Sequence, residues 1–167
     1  MIYLGIDPGL RYCGFGIVQK IGQKVLLLDY GLLQMSSNQS LVERVGIFYR
    51  HYNELISKHQ VDTVILETPF LGKNAQNFLK LGYLRGILYL LADQHKLEVL
   101  EFTPKQVKLA ITGYGSADKD QVARVIQQLF PKMNTPKRDD VTDALAVTLC
   151  GVWQSKTLLN QLRQGVV

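Results

Sequence analysis

The order of strand-like and helix-like segments is the feature that most constrains the fold of this chain. Three short apolar segments at the start follow one another with only turns between them, and two later ones each follow a segment with helical periodicity. These five candidate strands cover residues 2–6, 13–18, 25–34, 61–66 and 98–102. Strands joined by tight turns pair antiparallel, whereas strands entered after a helix pair parallel. The sequence therefore predicts an α/β fold with a mixed five-stranded sheet, three antiparallel strands and then parallel ones, flanked by helices.

Local capping signals indicate where several helices begin. Ser40 is followed by Glu43 at the spacing of a capping box, and Thr103 stands before a proline at the first helical position. Ser116 precedes an apolar stripe and is expected to cap that helix. A long helix over about 74–95 carries leucines on one side.

The last helix is expected from about Asp139 to Trp153, which closes a single predicted domain over 1–154. The remaining 13 residues, 155–167, are expected to form a short tail with no assigned role. The segment from 113 to 115 and the segment from 131 to 138 have loop composition and do not indicate a second domain.

Composition narrows the class of partner. The 167 residues include 19 basic and 14 acidic side chains, a formal charge of +5, which favours a polyanionic partner. Cys13 and Cys150 are too few for a disulfide framework and are expected as free thiols in a reducing compartment. We find no signal-peptide pattern and no apolar stretch of membrane-spanning length, and therefore expect a cytoplasmic protein without membrane contact.

Four carboxylates occupy positions that suit a shared site: Asp7, Glu67, Asp140 and Asp143. Asp7 and Glu67 end two predicted strands, and the other two lie three residues apart on one face of the last helix. Such acids are costly to bury unless a cation neutralises them. A cluster of oxygen ligands selects Mg²⁺ or Mn²⁺ over zinc, and two such ions can activate water for phosphodiester hydrolysis.

Each acid also has a purely structural interpretation. Asp7 precedes Pro-Gly and can form a turn, Glu67 can point into solvent, and Asp140 can cap its helix. Asp143 lies beyond the first turn, beside small apolar residues. We expect no cation near it from the sequence, since the basic residues at 137–138 precede the helix, and a metal ion would fill that gap.

Six motifs in register carry a resemblance to a known family. They are Ile6–Gly9 with Gly14–Gly16, Glu67–Phe70 with Lys73–Ala75, Leu81–Gly82 with Arg85–Gly86, Gln106–Lys108, Gly113–Ser116 with Lys119, and Asp140–Ala146. Over about residues 1–154 the chain resembles the RuvC family of bacterial Holliday-junction resolvases. The resemblance implies a ribonuclease H-like fold and a homodimer. It also implies paired, Mg²⁺-dependent nicking of two strands of like polarity in four-way junctions during recombination and DNA repair, alongside the RuvA–RuvB branch-migration complex.

The resemblance also assigns roles to individual residues. It makes Asp7, Glu67, Asp140 and Asp143 the ligands of two Mg²⁺ ions, with Mn²⁺ as a substitute, and Lys119 a catalytic cation. It assigns DNA contacts to Arg11, Phe70, Lys73, Lys108 and Lys119, and the dimer interface to Leu81, Gly82, Arg85 and Gly86. Burial of Phe70 between sheet and helix, and packing of the two glycines within one subunit, remain alternatives.

One departure from the family pattern concerns the segment after Glu67. Thr68 and Pro69 stand where many members are expected to carry glutamine, and the proline can stiffen the loop that presents Phe70.

Two other function classes share some of these features. A phosphotransferase of the actin and sugar-kinase type opens with a similar strand and turn, but it needs two such domains and this chain is too short for both. A junction-binding module without activity is the second alternative, and the presence of all four acids argues against it.

Overall fold

The computed structural model describes residues 1–69, 75–134, 136 and 138–163, and side chains are described as far as residue 154. Within these residues the elements follow in the order β1 (Ile2–Asp7), β2 (Tyr12–Ile21), β3 (Lys24–Gln34), α1 (Leu41–His59), β4 (Thr63–Glu67), α2 (Ala75–His95), β5 (Glu98–Phe102), α3 (Pro104–Thr112), α4 (Lys119–Leu129) and α5 (Asp139–Arg163). No helix of the described part is both long and apolar enough to cross a membrane.

The five strands form one mixed sheet in the order β3-β2-β1-β4-β5. The pairs β1–β2 and β2–β3 are antiparallel, and the pairs β1–β4 and β4–β5 are parallel, which confirms the predicted topology. Because β1 and β4 are parallel neighbours, they end at the same edge of the sheet. Asp7 and Glu67 are the last residues of these strands and therefore lie side by side.

Helices cover both faces of the sheet. The core with α3, α4 and α5 takes Tyr3 and Ile65, and the core with α1 and α2 takes the neighbouring Leu4 and Leu66. This alternation follows from the pleat, which sends successive side chains to opposite faces. The central strands are buried on both sides, as is typical of parallel strands in an α/β fold.

Glycines in β1 and β2 let α5 lie directly on the sheet. A Cβ atom at Gly14 would be 1.8 Å from the backbone oxygen of Asp140, and one at Gly5 would be 2.0 Å from Oγ1 of Thr148. Any larger side chain would push the helix away at these two points. The close approach sets the first turn of α5, with Asp140, beside the end of β1.

The helix starts were predicted with one error. The capping boxes at Ser40 and Thr103 are confirmed. The predicted cap at Ser116 is wrong, because α4 begins at Lys119 and the carboxylate of Asp118 accepts the N–H of Gln121 at 2.8 Å. Asp118 stands directly before the helix and can reach this N–H, as an N-cap must.

The last helix is longer than expected. It starts at Asp139, as predicted, but continues past Trp153 to Arg163. One helix thus runs through the boundary between the predicted domain and its tail, and the division at residue 154 stays a prediction.

Candidate active site

A cleft of about 410 Å³ opens at the edge of the sheet where β1 and β4 end. Its lining includes Asp7, Glu67 and Asp143, together with Lys108 and Lys119. A further cleft of about 360 Å³ is lined by Asp7, Lys119 and Asp143 as well, and adds Asp140. The two clefts share Asp7, Lys119 and Asp143, and the other three predicted acids all lie near enough to Asp7 to affect its charge.

Among the four carboxyl groups, Asp7 has the most strongly raised pKa. Burial raises its pKa most, and the negative charges of Asp143, Asp140 and Glu67 raise it further, to about 7. Lys119 opposes this shift. A cation that binds beside a buried carboxylate with acidic neighbours stabilises its ionised form.

Glu67 shows the same pattern more weakly. Burial raises its pKa first, and the charge of Asp143 adds to the effect. Lys108 and Lys119 lower it. The site is thus an acidic centre with two lysines at its border.

A basic side chain contacts Asp143, contrary to the expectation from the sequence. The Nζ atom of Lys119 donates to its Oδ2 at 2.9 Å, and this bond is the main reason why the pKa of Lys119 is raised. The lysine belongs to the first turn of α4, which packs beside α5. A metal ion is therefore not needed to explain the position of Asp143.

Asp140 also has a basic partner, which sequence reasoning missed. The Nε atom of Arg138 donates to Oδ2 of Asp140 at 2.9 Å. The guanidinium of Arg138 lies 3.7 Å from the centre of the Tyr12 ring, in a cation–π contact. The spacing of two residues between Arg138 and Asp140 could have indicated this ion pair. The contact with Tyr12 could not be predicted, because it depends on the fold.

The acids suit a hard divalent cation in chemistry and charge. They offer only oxygen donors, which Mg²⁺ and Mn²⁺ prefer, and burial together with the charges of the other three acids raises the pKa of Asp7. Among the described residues, no three His, Cys, Asp or Glu side chains are close enough together to hold a metal ion as they stand. Asp140 and Asp143 are instead paired with Arg138 and Lys119.

The predicted DNA-contact residues fall into three groups. Lys108 and Lys119 line the acidic cleft. Arg11 is exposed directly before β2, with its guanidinium 5.7 Å from the Tyr12 ring centre. Phe70 and Lys73 lie outside the described residues.

The predicted interface residues of α2 line two clefts that share Gly82. Leu81, Gly82 and Arg85 line one of about 310 Å³, together with Asp7 and Glu67. Gly82 and Gly86 line an apolar groove of about 550 Å³ between α1 and α2, where a Cβ atom would meet open space. Leu81 is half-buried. The side chain of Arg85 is buried, where it pairs with Glu101, and its assignment to the dimer interface stays a prediction.

Comparison with known proteins decides the family. The family model described as "Crossover junction endodeoxyribonuclease RuvC" matches residues 3–151. The chain belongs to the RuvC family. Two curated RuvC proteins illustrate the similarity. The RuvC of Natranaerobius thermophilus is 41% identical over 150 residues, which cover 90% of this chain and 93% of that protein. The RuvC of Caldicellulosiruptor saccharolyticus is 40% identical over 162 residues, covering 96% and 98%.

Solved structures agree with this family. The RuvC of Thermus thermophilus in complex with a Holliday junction substrate has a TM-score of 0.87 and 28% identity. That likeness covers 94% of this chain and 96% of the RuvC chain. The ribonuclease H-like fold predicted for a RuvC protein is therefore confirmed.

Proposed function

We propose that this chain is a metal-dependent endonuclease that resolves Holliday junctions by paired nicking of two strands of like polarity. One observation carries the proposal: in a RuvC-family chain, Asp7 lies among Asp143, Asp140 and Glu67, and its pKa is raised first by burial and then by these three charges. The solved RuvC structure with a Holliday junction substrate and the formal charge of +5 support a junction as the substrate. The process served would be homologous recombination and DNA repair.

In this proposal Asp7, Glu67, Asp140 and Asp143 hold two Mg²⁺ ions, which Mn²⁺ can replace. When bound, such ions polarise the scissile phosphate and lower the pKa of attacking water. The carboxylates orient the site and supply its negative charge. Lys119 leaves Asp143 and balances the charge that develops on the phosphate in the transition state.

The remaining predicted residues would bind the substrate around this centre. Lys108, at the border of the acidic cleft, would contact the cleaved strand, and Arg11 and Lys73 would contact flanking phosphates. Phe70 would stack on an unpaired base near the junction centre.

Paired nicking requires two active sites with approximate two-fold symmetry. The apolar groove along Gly82 and Gly86 supports α2 as the contact between two copies, since an exposed apolar groove is typical of an interaction surface. The RuvA–RuvB complex remains the expected partner from family membership alone.

The first test is Asp7→Asn on a synthetic four-way junction. We expect nicking to be lost, because the amide cannot replace the carboxylate charge, while junction binding in metal-free buffer survives. Asp62→Asn is the matched control: this carboxylate bonds to the N–H of Ile2 at the opposite end of β1, and nicking should stay at the wild-type rate. Linear duplex and flap substrates test the preference for junctions. Nicking by Asp7→Asn at the wild-type rate would exclude the proposed metal site.

A further inference from the structure

Arg85 is a buried cation with a defined set of partners, and it lines a cleft of about 310 Å³ that shares Asp7 and Glu67 with the acidic cleft. Its side chain is only 7% exposed and reaches from α2 to the ends of β4 and β5. One terminal nitrogen, Nη1, donates to the backbone oxygen of Glu67 at 2.8 Å. The other, Nη2, donates to Oε1 of Glu101 at 2.5 Å and to the hydroxyl of Tyr89 at 3.3 Å. The Tyr89 hydroxyl in turn donates to the same Glu101 oxygen.

A buried guanidinium is costly to desolvate, so its partners matter. Glu101 supplies the opposite charge, and this pairing keeps the guanidinium in place. The fork of an arginine can serve a carboxylate and a carbonyl at once, which the single ammonium of a lysine cannot do in the same geometry. Arg85 is therefore suited to link Glu101 on β5 to the backbone at the end of β4.

The backbone oxygen of Glu67 lies where the sheet can no longer supply a donor. The parallel register between β1 and β4 ends at the pair Ile6 and Leu66. Beyond Asp7, β1 is followed by Pro8, which has no N–H to give. This carbonyl, which the sheet does not pair, receives its donor from elsewhere, namely Nη1 of Arg85.

We propose that Arg85 is a positioning residue for Glu67. By fixing the backbone at the last residue of β4, the guanidinium sets the direction in which the Glu67 carboxylate enters the cleft that it shares with Asp7. Arg85 bonds to the backbone carbonyl of Glu67 and not to its side chain, so the carboxylate remains available to a cation. This inference rests on the proposed function, in which Glu67 is a ligand of Mg²⁺.

The test removes both charges together, so that neither is left alone in a buried place. The double variant Arg85→Met with Glu101→Gln should bind Mg²⁺ roughly 10- to 100-fold more weakly, as expected when a residue that orients a ligand is lost. Calorimetric titration of the DNA-free protein with MgCl₂ measures this directly. Nicking should then require correspondingly more Mg²⁺, while junction affinity in metal-free buffer stays unchanged.

A matched control neutralises another pair of the same helix region. Asp93 and Lys96 form an exposed ion pair of 3.1 Å, so Asp93→Asn with Lys96→Gln makes the same charge change away from Glu67. Its Mg²⁺ affinity should remain at the wild-type value. Arg85→Lys should fall between the wild type and the double variant, and it keeps the test open if the double variant does not fold.

The outcomes separate this inference from the proposed function. Wild-type Mg²⁺ affinity in a folded double variant or in Arg85→Lys would overturn the positioning role, while wild-type nicking of junctions would leave the proposed function intact. If the wild-type protein nicks no junction, the proposed function fails. The calorimetric comparison still decides whether Arg85 orients a cation ligand.

Discussion

The acids of the candidate site are held in two different ways, on the α5 side and on the β4 side. On α5, the carboxylates of Asp143 and Asp140 pair with Lys119 and Arg138, whose side chains are 67% and 44% exposed. On β4, the carbonyl of Glu67 is held by a guanidinium that is only 7% exposed. On the α5 side the basic residues bond to the carboxylates themselves. On the β4 side Arg85 bonds to the backbone, so the Glu67 carboxylate stays available to a cation.

This difference indicates which contacts can change during a reaction. Exposed ion pairs contribute little free energy, because water screens them and both side chains lose freedom. The pairs on α5 can therefore be exchanged for a metal ion at low cost. The buried contact of Arg85 cannot be exchanged in this way, since breaking it leaves a charge without a partner. We infer that the β4 side is rigid and the α5 side adapts.

Lys119→Met should have the largest effect: it should increase the affinity for Mg²⁺ and decrease the rate of nicking. The ammonium competes with a metal ion for Asp143 and lowers the pKa of Asp7, so its loss should tighten Mg²⁺ binding to the DNA-free protein several-fold. Nicking at saturating Mg²⁺ should fall roughly 100-fold, because a cation near the reacting phosphate is lost. Calorimetry measures the first effect and single-turnover nicking of a junction measures the second.

Lys58→Met is the matched control for this variant. Lys58 pairs with Asp29 at 3.8 Å, and its side chain is 62% exposed, close to the value for Lys119. Neither Mg²⁺ affinity nor nicking should change. If Lys119→Met instead weakened Mg²⁺ binding, the lysine would be supporting the metal site, and the α5 side would not be exchangeable as we infer.

The next effect concerns the stability of the metal-free protein and its dependence on pH. The pKa of Asp7 is about 7 in the folded chain and 3.8 in its ordinary state. Between these values the folded state holds a proton that the unfolded state has released, so stability falls as the pH rises from about 4 to 7. The amide introduced by Asp7→Asn does not ionise, so this variant should be more stable than the wild type by roughly 2–4 kcal/mol at pH 8, but not at pH 4.

Denaturant unfolding in EDTA at the two pH values measures this difference. Adding MgCl₂ at pH 8 should stabilise the wild type more than the variant, because the ion binds the ionised carboxylate. An equal stability of both proteins at pH 8 in EDTA would show that burial and the neighbouring acids do not raise the pKa of Asp7.

The positions of the acids could be predicted from the sequence, because local signals set them. Asp7 and Glu67 follow directly after short apolar strands, and the parallel pairing of those strands puts their ends at one edge. Asp140 and Asp143 stand at a helix start, and their spacing alone gives a shared face. What remained open was how close α5 comes to the sheet, which depends on the contact between Gly14 and Asp140.

The partners of the acids could not be predicted, because they come from elements distant in sequence. Lys119 is 24 residues from Asp143, and Arg85 is 18 residues from Glu67. The resemblance places Arg85 at the dimer interface, but only the folded chain shows that its side chain pairs with Glu101 on β5. Its face of α2 is that of Tyr89, four residues later, which also contacts Glu101.

Tyr12→Leu should have the smallest effect and tests how loosely the α5 side is held. The Tyr12 ring supports the guanidinium of Arg138, which donates to Asp140. Loss of the aromatic face should reduce the free energy of unfolding by about 0.5–1 kcal/mol, the value of a partly exposed cation–π contact. Tyr12→Phe keeps the ring face and should match the wild type in denaturant unfolding. If Tyr12→Leu weakened Mg²⁺ binding as strongly as the Arg85 double variant, Arg138 would be a fixed part of the site. The two sides of the acidic cleft would then not differ in rigidity.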